Sequence, residues 1–324
     1  MKKGWQKLSL FCIFACMKRI YSFIAASLTV ISAASCIRES ASDSHQQEVA
    51  VVYTAIVEGA DTKPDLGTNG SSLFQSLWED GDIIKIYHGG GISYSFKTSL
   101  KKPSPVAEFK YSGYDNVNFT DVSVVLASFP ACAARGADPQ QESIMMQSEI
   151  PALQNLESDV DSHNRNAVPA VAYSADGTLH FQNAAALLKF SLNQDGVSRV
   201  RLTARHGEII TGMICIYLDA EHKISDIIPD EYADNAQQTH KSYVELSSEG
   251  TFQSRRAYYL SIIPGTLESG FMLEFFDANG IVIYTKDYDS SITVRRNEIL
   301  DLGSLGGGLE EVNDAIEDMP EIEL

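Results

Sequence analysis

Short segments of β-branched and aromatic residues, separated by Gly, Asn, Asp and Pro, recur between residues 51 and 302. In Ile92–Lys97 apolar and polar residues alternate at every position, which predicts an antiparallel strand with one face in water. Phe271–Phe276 and Ile281–Thr285 flank a turn that contains Asn279-Gly280, a strong hairpin signal. Few helical periods interrupt the series. The pattern therefore predicts an all-β protein made of β-sandwiches.

The strand pattern divides the chain into two lobes near residue 172. We predict an N-terminal β-sandwich domain over residues 49–171 and a C-terminal one over residues 172–305. Ala131–Ala167 has the least strand-like composition, and we predict a long connection there with a helical turn or two near Gln140–Met146. Gly212 lies inside a predicted strand and indicates a β-bulge.

A signal for export precedes the strands. Met17-Lys18-Arg19 is followed by the apolar run Ile20–Ala34 and small residues, which is typical of a signal peptide over residues 1–35 with its true start at Met17. Cys36 follows directly, as in a bacterial lipobox, although Ala33 stands where Leu is usual. We predict lipidation of Cys36 and a polar tether over residues 36–48. An uncleaved anchor helix is the alternative.

Charge and cysteine content limit the possible partners of the chain and the role of its cysteines. Of the 25 basic residues, five lie in the predicted signal peptide, so the exported chain would carry 20 basic against 43 acidic residues, a net charge of −23. Such a surface argues against nucleic acid as a partner, since phosphate contacts need clusters of Lys and Arg. Cys132 and Cys215 remain after Cys36, and buried free thiols are favoured over a disulfide.

The sequence contains no pattern typical of an enzyme. Its seven histidines are scattered singly, without a His-Glu-x-x-His arrangement, and no Gly-x-Ser-x-Gly elbow is present. Asp82 and Asp277 carry oxygen ligands that suit calcium, but both adjoin turns, and turn formation is the favoured interpretation. We therefore predict no catalytic residues, no metal site and no cofactor.

The C-terminal segment, residues 306–324, has a composition of its own. Leu309–Leu324 contains seven acidic residues and no base, while its apolar residues follow a helical spacing. A solvated acidic tail is the favoured interpretation. A docked helix or a partner-binding strand is the alternative.

Several stretches together resemble the fimbrillin-like surface lipoproteins of type V pili. They span most of residues 50–305, in addition to the lipobox. These stretches are Trp78–Tyr87 (WEDGDIIKIY), Ala127–Pro130 (ASFP), Phe181–Phe190 (FQNAAALLKF), Tyr258–Pro264 (YYLSIIP), Gly270-Phe271 and Arg295–Ile299 (RRNEI).

The resemblance implies two β-sandwich domains of transthyretin-like, Greek-key type and export as an outer-membrane lipoprotein to the cell surface or fimbrium. Shaft subunits of this family polymerise when a protease removes the first strand and a neighbour's strand fills the groove. The partners would be other pilus subunits, by strand exchange, and outer-membrane lipid through Cys36. In this chain the candidate removable strand carries Val51, Tyr53, Ala55 and Val57.

The candidate processing site departs from the family pattern. Shaft subunits are usually cut after an arginine, whereas Lys63 is the single basic residue in the predicted loop Asp61–Ser72. This departure favours an anchor or a tip adhesin over a shaft subunit. The alternative function is a monomeric surface lipoprotein that binds a glycan or host protein. In that case exposed aromatics would stack on sugar, with Trp78, Tyr87, Tyr94 and Tyr114 as the candidates, although core packing is the more common role of such side chains.

Overall fold

The computed structural model describes residues 51–58, 72–73, 76–88, 92–113, 124–131, 139, 144–156, 163–233, 236–305 and 310–311. Contacts divide the chain into two units, Met1–Glu48 and Val49–Leu324. The first unit, with the predicted signal peptide, Cys36 and the whole predicted tether, lies outside the described residues, as do Lys63 and most of the C-terminal tail. Within the described ranges, no helix is long and apolar enough to cross a membrane.

The described residues are nearly all in strands, turns and short connections, as predicted. In the first half of the chain the strands are β1 (Val52–Ile56), β2 (Ser72–Leu73), β3 (Ile83–Tyr87), β4 (Ser93–Thr98), β5 (Val106–Tyr111), β6 (Val125–Phe129), β7 (Ile144–Ile150), β8 (Leu153–Asn155), β9 (Ala170–Ser174), β10 (Thr178–His180) and β11 (Gln182–Asn183). A 3₁₀ turn at Arg165–Ala167 precedes β9.

The second half continues in the same way, with one short helix, α1 (Ala236–Thr239), among its described residues. Its strands are β12 (Ala186–Leu192), β13 (Arg199–Ala204), β14 (Gly212–Leu218), β15 (Ile224–Pro229), β16 (Tyr243–Ser247), β17 (Ala257–Ile262), β18 (Gly265–Leu267), β19 (Phe271–Phe276), β20 (Val282–Tyr288), β21 (Ile292–Val294), β22 (Glu298–Leu305) and β23 (Glu310–Glu311).

Eight strands between residues 52 and 183 form one sheet in the order β10-β1-β5-β4-β3-β6-β9-β11. The two ends of this order belong to one continuous segment, Thr178–Asn183. Its first part pairs with β1 and its last part with β9, so the segment closes the sheet on itself. The enclosed apolar core comes from alternate residues of these strands, including Tyr53, Phe96 and Phe109.

A second core lies between a four-stranded sheet, β17-β12-β22-β2, and a six-stranded sheet, β23-β20-β19-β13-β16-β8. The first part of β12, Ala186–Leu188, is buried on both faces, which explains its continuous apolar sequence, whereas Lys189 and Ser191 further along are half-buried. Leu188 and Phe190 enter this second core, whereas Leu187 points into a third cluster on the other side.

That third cluster is covered by a three-stranded sheet, β15-β14-β7, and it also takes in Leu126 and Val171 of the eight-stranded sheet. Sheets therefore combine strands from both sides of residue 172, since β7 pairs along its length with β14. The division into domains 49–171 and 172–305 stays a prediction.

The predicted helical turn near Gln140–Met146 is wrong for its described part. Residues from Ile144 onward form β7, in which Ile144, Met146, Ser148 and Ile150 are buried and the residues between them are half-buried. This period of two is the signature of a strand. Its pairing partner, β14, begins more than sixty positions further along, and this long-range pairing outweighs local composition.

The bulge predicted at Gly212 is also wrong. Gly212 pairs in register with Ile150 at the start of β14, and the register of that strand shifts only near Leu218. Glycine is needed there because its φ is +125° and an added Cβ would overlap the ring of His240.

Candidate strand-exchange site

The candidate removable strand, β1, lies inside the closed sheet between β5 and β10. It pairs antiparallel with β5 from Val52 to Ile56, opposite Lys110 to Val106, and parallel with β10 from Thr54 to Ile56. Backbone hydrogen bonds to the residues on either side of β10 extend this parallel pairing. Gly177 O accepts from Thr54 N–H at 3.0 Å, and Ile56 O accepts from Phe181 N–H at 2.9 Å. Both sides of β1 are thus hydrogen-bonded to other strands.

The four residues predicted to mark this strand point into the first core. Tyr53 and Ala55 are fully buried, Val57 is nearly so, and Val51 packs against the same cluster while half-buried. Between them, Thr54 and Ile56 are half-buried on the other face. The space that β1 fills, which we call the β1 slot, therefore receives alternate side chains of one strand.

Trp78 holds the middle of β1 in place by a hydrogen bond from inside the core. Its indole Nε1–H donates to Ala55 O at 3.1 Å. The ring meets Phe109, Phe129 and Phe181 edge to face, with centroids 5.0, 5.4 and 5.1 Å away. Aromatic clusters of this geometry add to the stability that comes from burial. Trp78 thus connects β1 to three other parts of the sheet.

The residues after Trp78 form a turn. Asp82 accepts from Glu79 N–H at 2.8 Å, and Gly81 has a φ of +85°. Arg165 then pairs with both Glu79, at 2.7 Å, and Asp82, at 2.9 Å. The WEDGD stretch is accordingly a structural element that starts the β3–β4 hairpin, and the Asp82 carboxylate is engaged by these groups.

A charged cluster holds the C-terminal end of β1. Arg296 donates from Nη1 to Glu58 Oε2 at 2.7 Å and from Nη2 to Glu58 Oε1 at 2.9 Å. Asn183 N–H donates to the same Oε2 at 2.8 Å. Because 238 positions separate Glu58 from Arg296, sequence analysis missed the pair. Arg296 belongs to the RRNEI stretch, which was the available signal.

Tyr53 introduces an unpaired polar group into this otherwise apolar slot. Its hydroxyl is buried and has no hydrogen-bond partner, and burial raises the pKa of the phenol to about 12. Its ring meets Phe96 edge to face at 5.1 Å. A buried hydroxyl without a partner is unfavourable by roughly 1–3 kcal/mol.

We therefore expect Tyr53→Phe to raise the free energy of unfolding by about 1 kcal/mol, because it keeps the ring and removes the unpaired hydroxyl. Tyr53→Ala, which also removes the ring, should lower it by about 3 kcal/mol or more. Urea unfolding of the three proteins measures both differences. A Tyr53→Phe variant less stable than the parent would show that the hydroxyl has a stabilising partner.

The turn that leads into β10, the parallel neighbour of β1, depends on Asp176. The pKa of Asp176 lies below its ordinary value of 3.8, chiefly because Thr178 N–H donates to its carboxylate, at 2.8 Å. Ser174 Oγ also donates to it, at 3.2 Å. The ionised carboxylate is therefore the form that the turn binds.

A lowered folded-state pKa makes stability dependent on pH. The contribution of Asp176 is present above the carboxyl's ordinary pKa and is lost as pH falls through the lower folded-state value. We expect the unfolding free energy of the parent to decrease more between pH 6 and pH 2.5 than that of Asp176→Asn. Urea titrations at both pH values test this, and parallel losses in the two proteins would contradict it.

Other predicted features are placed as follows. Cys215 is buried and free, as predicted, and burial, with the nearby Asp230 carboxylate, raises the pKa of its thiol. Cys132 lies outside the described residues. Asp277 accepts from Asn279 and Ile281 N–H in the β19–β20 turn, in agreement with its predicted turn role. Across the described ranges, no group of three His, Cys, Asp or Glu side chains is placed to hold a metal ion.

The aromatic side chains considered for glycan binding are largely unsuited to it. Trp78 is 3% exposed and Tyr87 4%, so core packing, the favoured role, is confirmed for these two residues and glycan binding is wrong for them. Tyr94 is half-buried and packs edge to face on Tyr111. Tyr114 lies outside the described residues. Alternation along a strand identifies two faces but does not say which of them a second layer covers, so sequence could not exclude these rings.

No protein-family model matches the chain, and no curated protein matches it. Among solved structures, a "putative cell adhesion protein" from Bacteroides ovatus aligns with 81% of this chain and 94% of its own, at 10% identity and a TM-score of 0.44. One from Bacteroides uniformis, with the same description, aligns with 82% of this chain and 96% of its own, at 11% identity and a TM-score of 0.44.

A fimbrial protein from Bacteroides ovatus aligns with 80% of this chain and 50% of its own, at 11% identity and a TM-score of 0.32. The structural neighbours are thus Bacteroides proteins described as cell adhesion or fimbrial proteins.

Proposed function

We propose that this chain is a non-enzymatic fimbrial subunit, exported as a lipoprotein on Cys36 to the outer surface, that assembles by donation of a β-strand between subunits. The anchor or tip-adhesin role is favoured over the shaft, because the segment after β1 contains Lys63 where an arginine is usual. In this proposal the chain forms two transthyretin-like β-sandwich domains, predicted over residues 49–171 and 172–305, with some strands contributed across that boundary, such as β10 to the first sheet and β8 to the six-stranded sheet.

One observation carries the proposal. The first described strand of the chain is not at a free edge but fills an interior position, with hydrogen bonds on both sides and three buried side chains. A cut after it would remove a complete strand and leave every other strand in place. The vacant slot would expose Phe96, Phe109 and Leu179 together with two rows of unpaired backbone groups. An inserted extended strand would supply both the apolar side chains that cover these residues and the backbone groups that pair with the two free rows.

The proposal is tested on protein taken from native outer membranes, by intact mass and N-terminal sequencing. We expect a lipidated Cys36 in newly exported protein and, if this chain receives a strand in place of its own first strand, a new N-terminus between Asp61 and Trp78 in assembled material, with β1 lost. Lys63→Gln should suppress that cut if Lys63 is the processing site. An unlipidated N-terminus ahead of β1 in newly exported protein would contradict the lipoprotein part of the proposal. A lipidated, uncut chain in every assembled fraction would contradict release of β1 and would favour an anchor or a monomeric surface protein.

A further inference from the structure

We propose that Arg296 and the backbone N–H of Asn183 form a carboxylate-binding subsite at the end of the β1 slot. This subsite would select an inserted strand that carries an acidic residue where Glu58 now lies. The inference rests on the proposed function, because the subsite becomes free only when Glu58 leaves together with β1. The occupant is an extended strand of another protein subunit, running parallel to β10.

The contacts of Glu58 define what the subsite recognises. Two nitrogens of Arg296 meet its two carboxylate oxygens, and Asn183 N–H adds a third hydrogen bond to Oε2. A planar guanidinium fork matches a carboxylate and distinguishes it from an amide, which offers only one acceptor oxygen. The Arg296 and Glu58 side chains are 29% and 22% exposed, so an incoming carboxylate can reach the site from solvent.

The subsite is held by groups that do not belong to β1. Arg296 Nη1 also donates to Asn183 O at 2.8 Å, and Asn183 Nδ2 donates to Asn297 Oδ1 at 2.8 Å. Asn297 has a φ of +59°, and its N–H donates to Ala185 O at 2.9 Å. Both asparagines are buried. These bonds persist when the strand is released, so the fork stays oriented for the next carboxylate.

The slot also fixes the position of the acidic residue relative to the apolar ones. Ala55 lies opposite Ala107, and its carbonyl accepts from Trp78, which leaves room for only a small side chain there. Tyr53 and Val57 fill the neighbouring core positions. From the position of Tyr53 to that of Glu58, a strand that fits the slot therefore carries a large apolar residue, any residue, a small residue, any residue, a β-branched residue and an acidic residue. The last position selects by charge, and the three core positions select by size.

The test uses the full chain with a specific protease site introduced between Asp61 and Ser72. After cleavage, the nicked protein keeps all its residues, and labelled peptides compete with its own first strand for the slot. Three peptides are compared: residues 51–58 unchanged, the same peptide with Glu58→Gln, and one with Thr54→Glu and Glu58→Gln. The third peptide keeps the net charge but moves the acid, which controls for the overall charge of the protein.

On the parent we expect the unchanged peptide to bind about ten- to a hundredfold more tightly than either variant, as for loss of charge-assisted hydrogen bonds. On Arg296→Ala the three should bind alike, and Arg296→Lys, which keeps the charge without the fork, should give an intermediate preference. Equal binding of all three to the parent would overturn the subsite and leave strand exchange standing. If none of the peptides enters the slot, strand exchange and the subsite fail together.

Discussion

Trp78→Ala is expected to lower the free energy of unfolding by about 4 kcal/mol, as for other large buried aromatics that are truncated. The indole is buried among Phe109, Phe129 and Phe181, so its removal leaves a cavity at the centre of the first core. It also deprives the carbonyl of Ala55 of its side-chain donor. Urea unfolding followed by circular dichroism measures the change.

Two further variants separate the contributions of the Trp78 ring. Trp78→Phe retains an aromatic ring but loses the N–H donor to Ala55, so a smaller loss of roughly 1–3 kcal/mol is expected. Tyr232→Ala is the surface control, because Tyr232 is 96% exposed, and it should change the free energy by less than about 0.5 kcal/mol. A Trp78→Ala variant as stable as this control would contradict the central role of the indole.

Gly270→Ala is the second substitution with a large expected effect, a loss of about 3 kcal/mol or more. Gly270 has a φ of +70°, which disfavours any residue with a Cβ. An added Cβ would overlap the carbonyl oxygen of Tyr288 and lie 2.8 Å from its carbonyl carbon. The backbone of β20 would have to move away, which would disturb the stacking of Phe271 on Tyr288.

Gly265→Ala provides a matched control for this prediction. A Cβ on Gly265 would meet no atom within 4 Å, and its φ is not in the left-handed region. We expect a change within about 0.5 kcal/mol. Thermal and urea unfolding of both variants measure the contrast. Comparable stability of the two alanine variants would show that the β19–β20 pair tolerates a shift at residue 270.

Local patterns were sufficient to predict many of the strands. The Asn279-Gly280 turn is a hairpin turn, as expected, and Gly280 has a φ of +80°. The strand predicted at Val51–Val57 is β1, within one residue at each end. These elements could be predicted because turn chemistry and alternation act over a few residues.

Features that depend on distant partners could not be predicted. β7 follows a polar segment with little strand character, and its identity depends on its pairing with β14. The parallel contact between β1 and β10 joins residues more than 120 positions apart, and nothing in either segment specifies parallel pairing. In the candidate site the alternating side chains of β1 were predictable. The Glu58–Arg296 pair was not predictable, because no local sequence pattern shows which of the 43 acidic residues would pair with Arg296.

The closed eight-stranded sheet also affects how the protein would behave before assembly. Thr178–Asn183 pairs with β1 at one end of the sheet and with β9 at the other, so it covers part of the edge of each strand. Loss of β1 would create two edges at once, facing each other across a gap of about 10 Å, which is the width of one missing strand. A gap of that width admits one strand and excludes a second folded sheet. In the proposed assembly, a single covalent cut after β1 would therefore decide when this sheet becomes available to a partner strand.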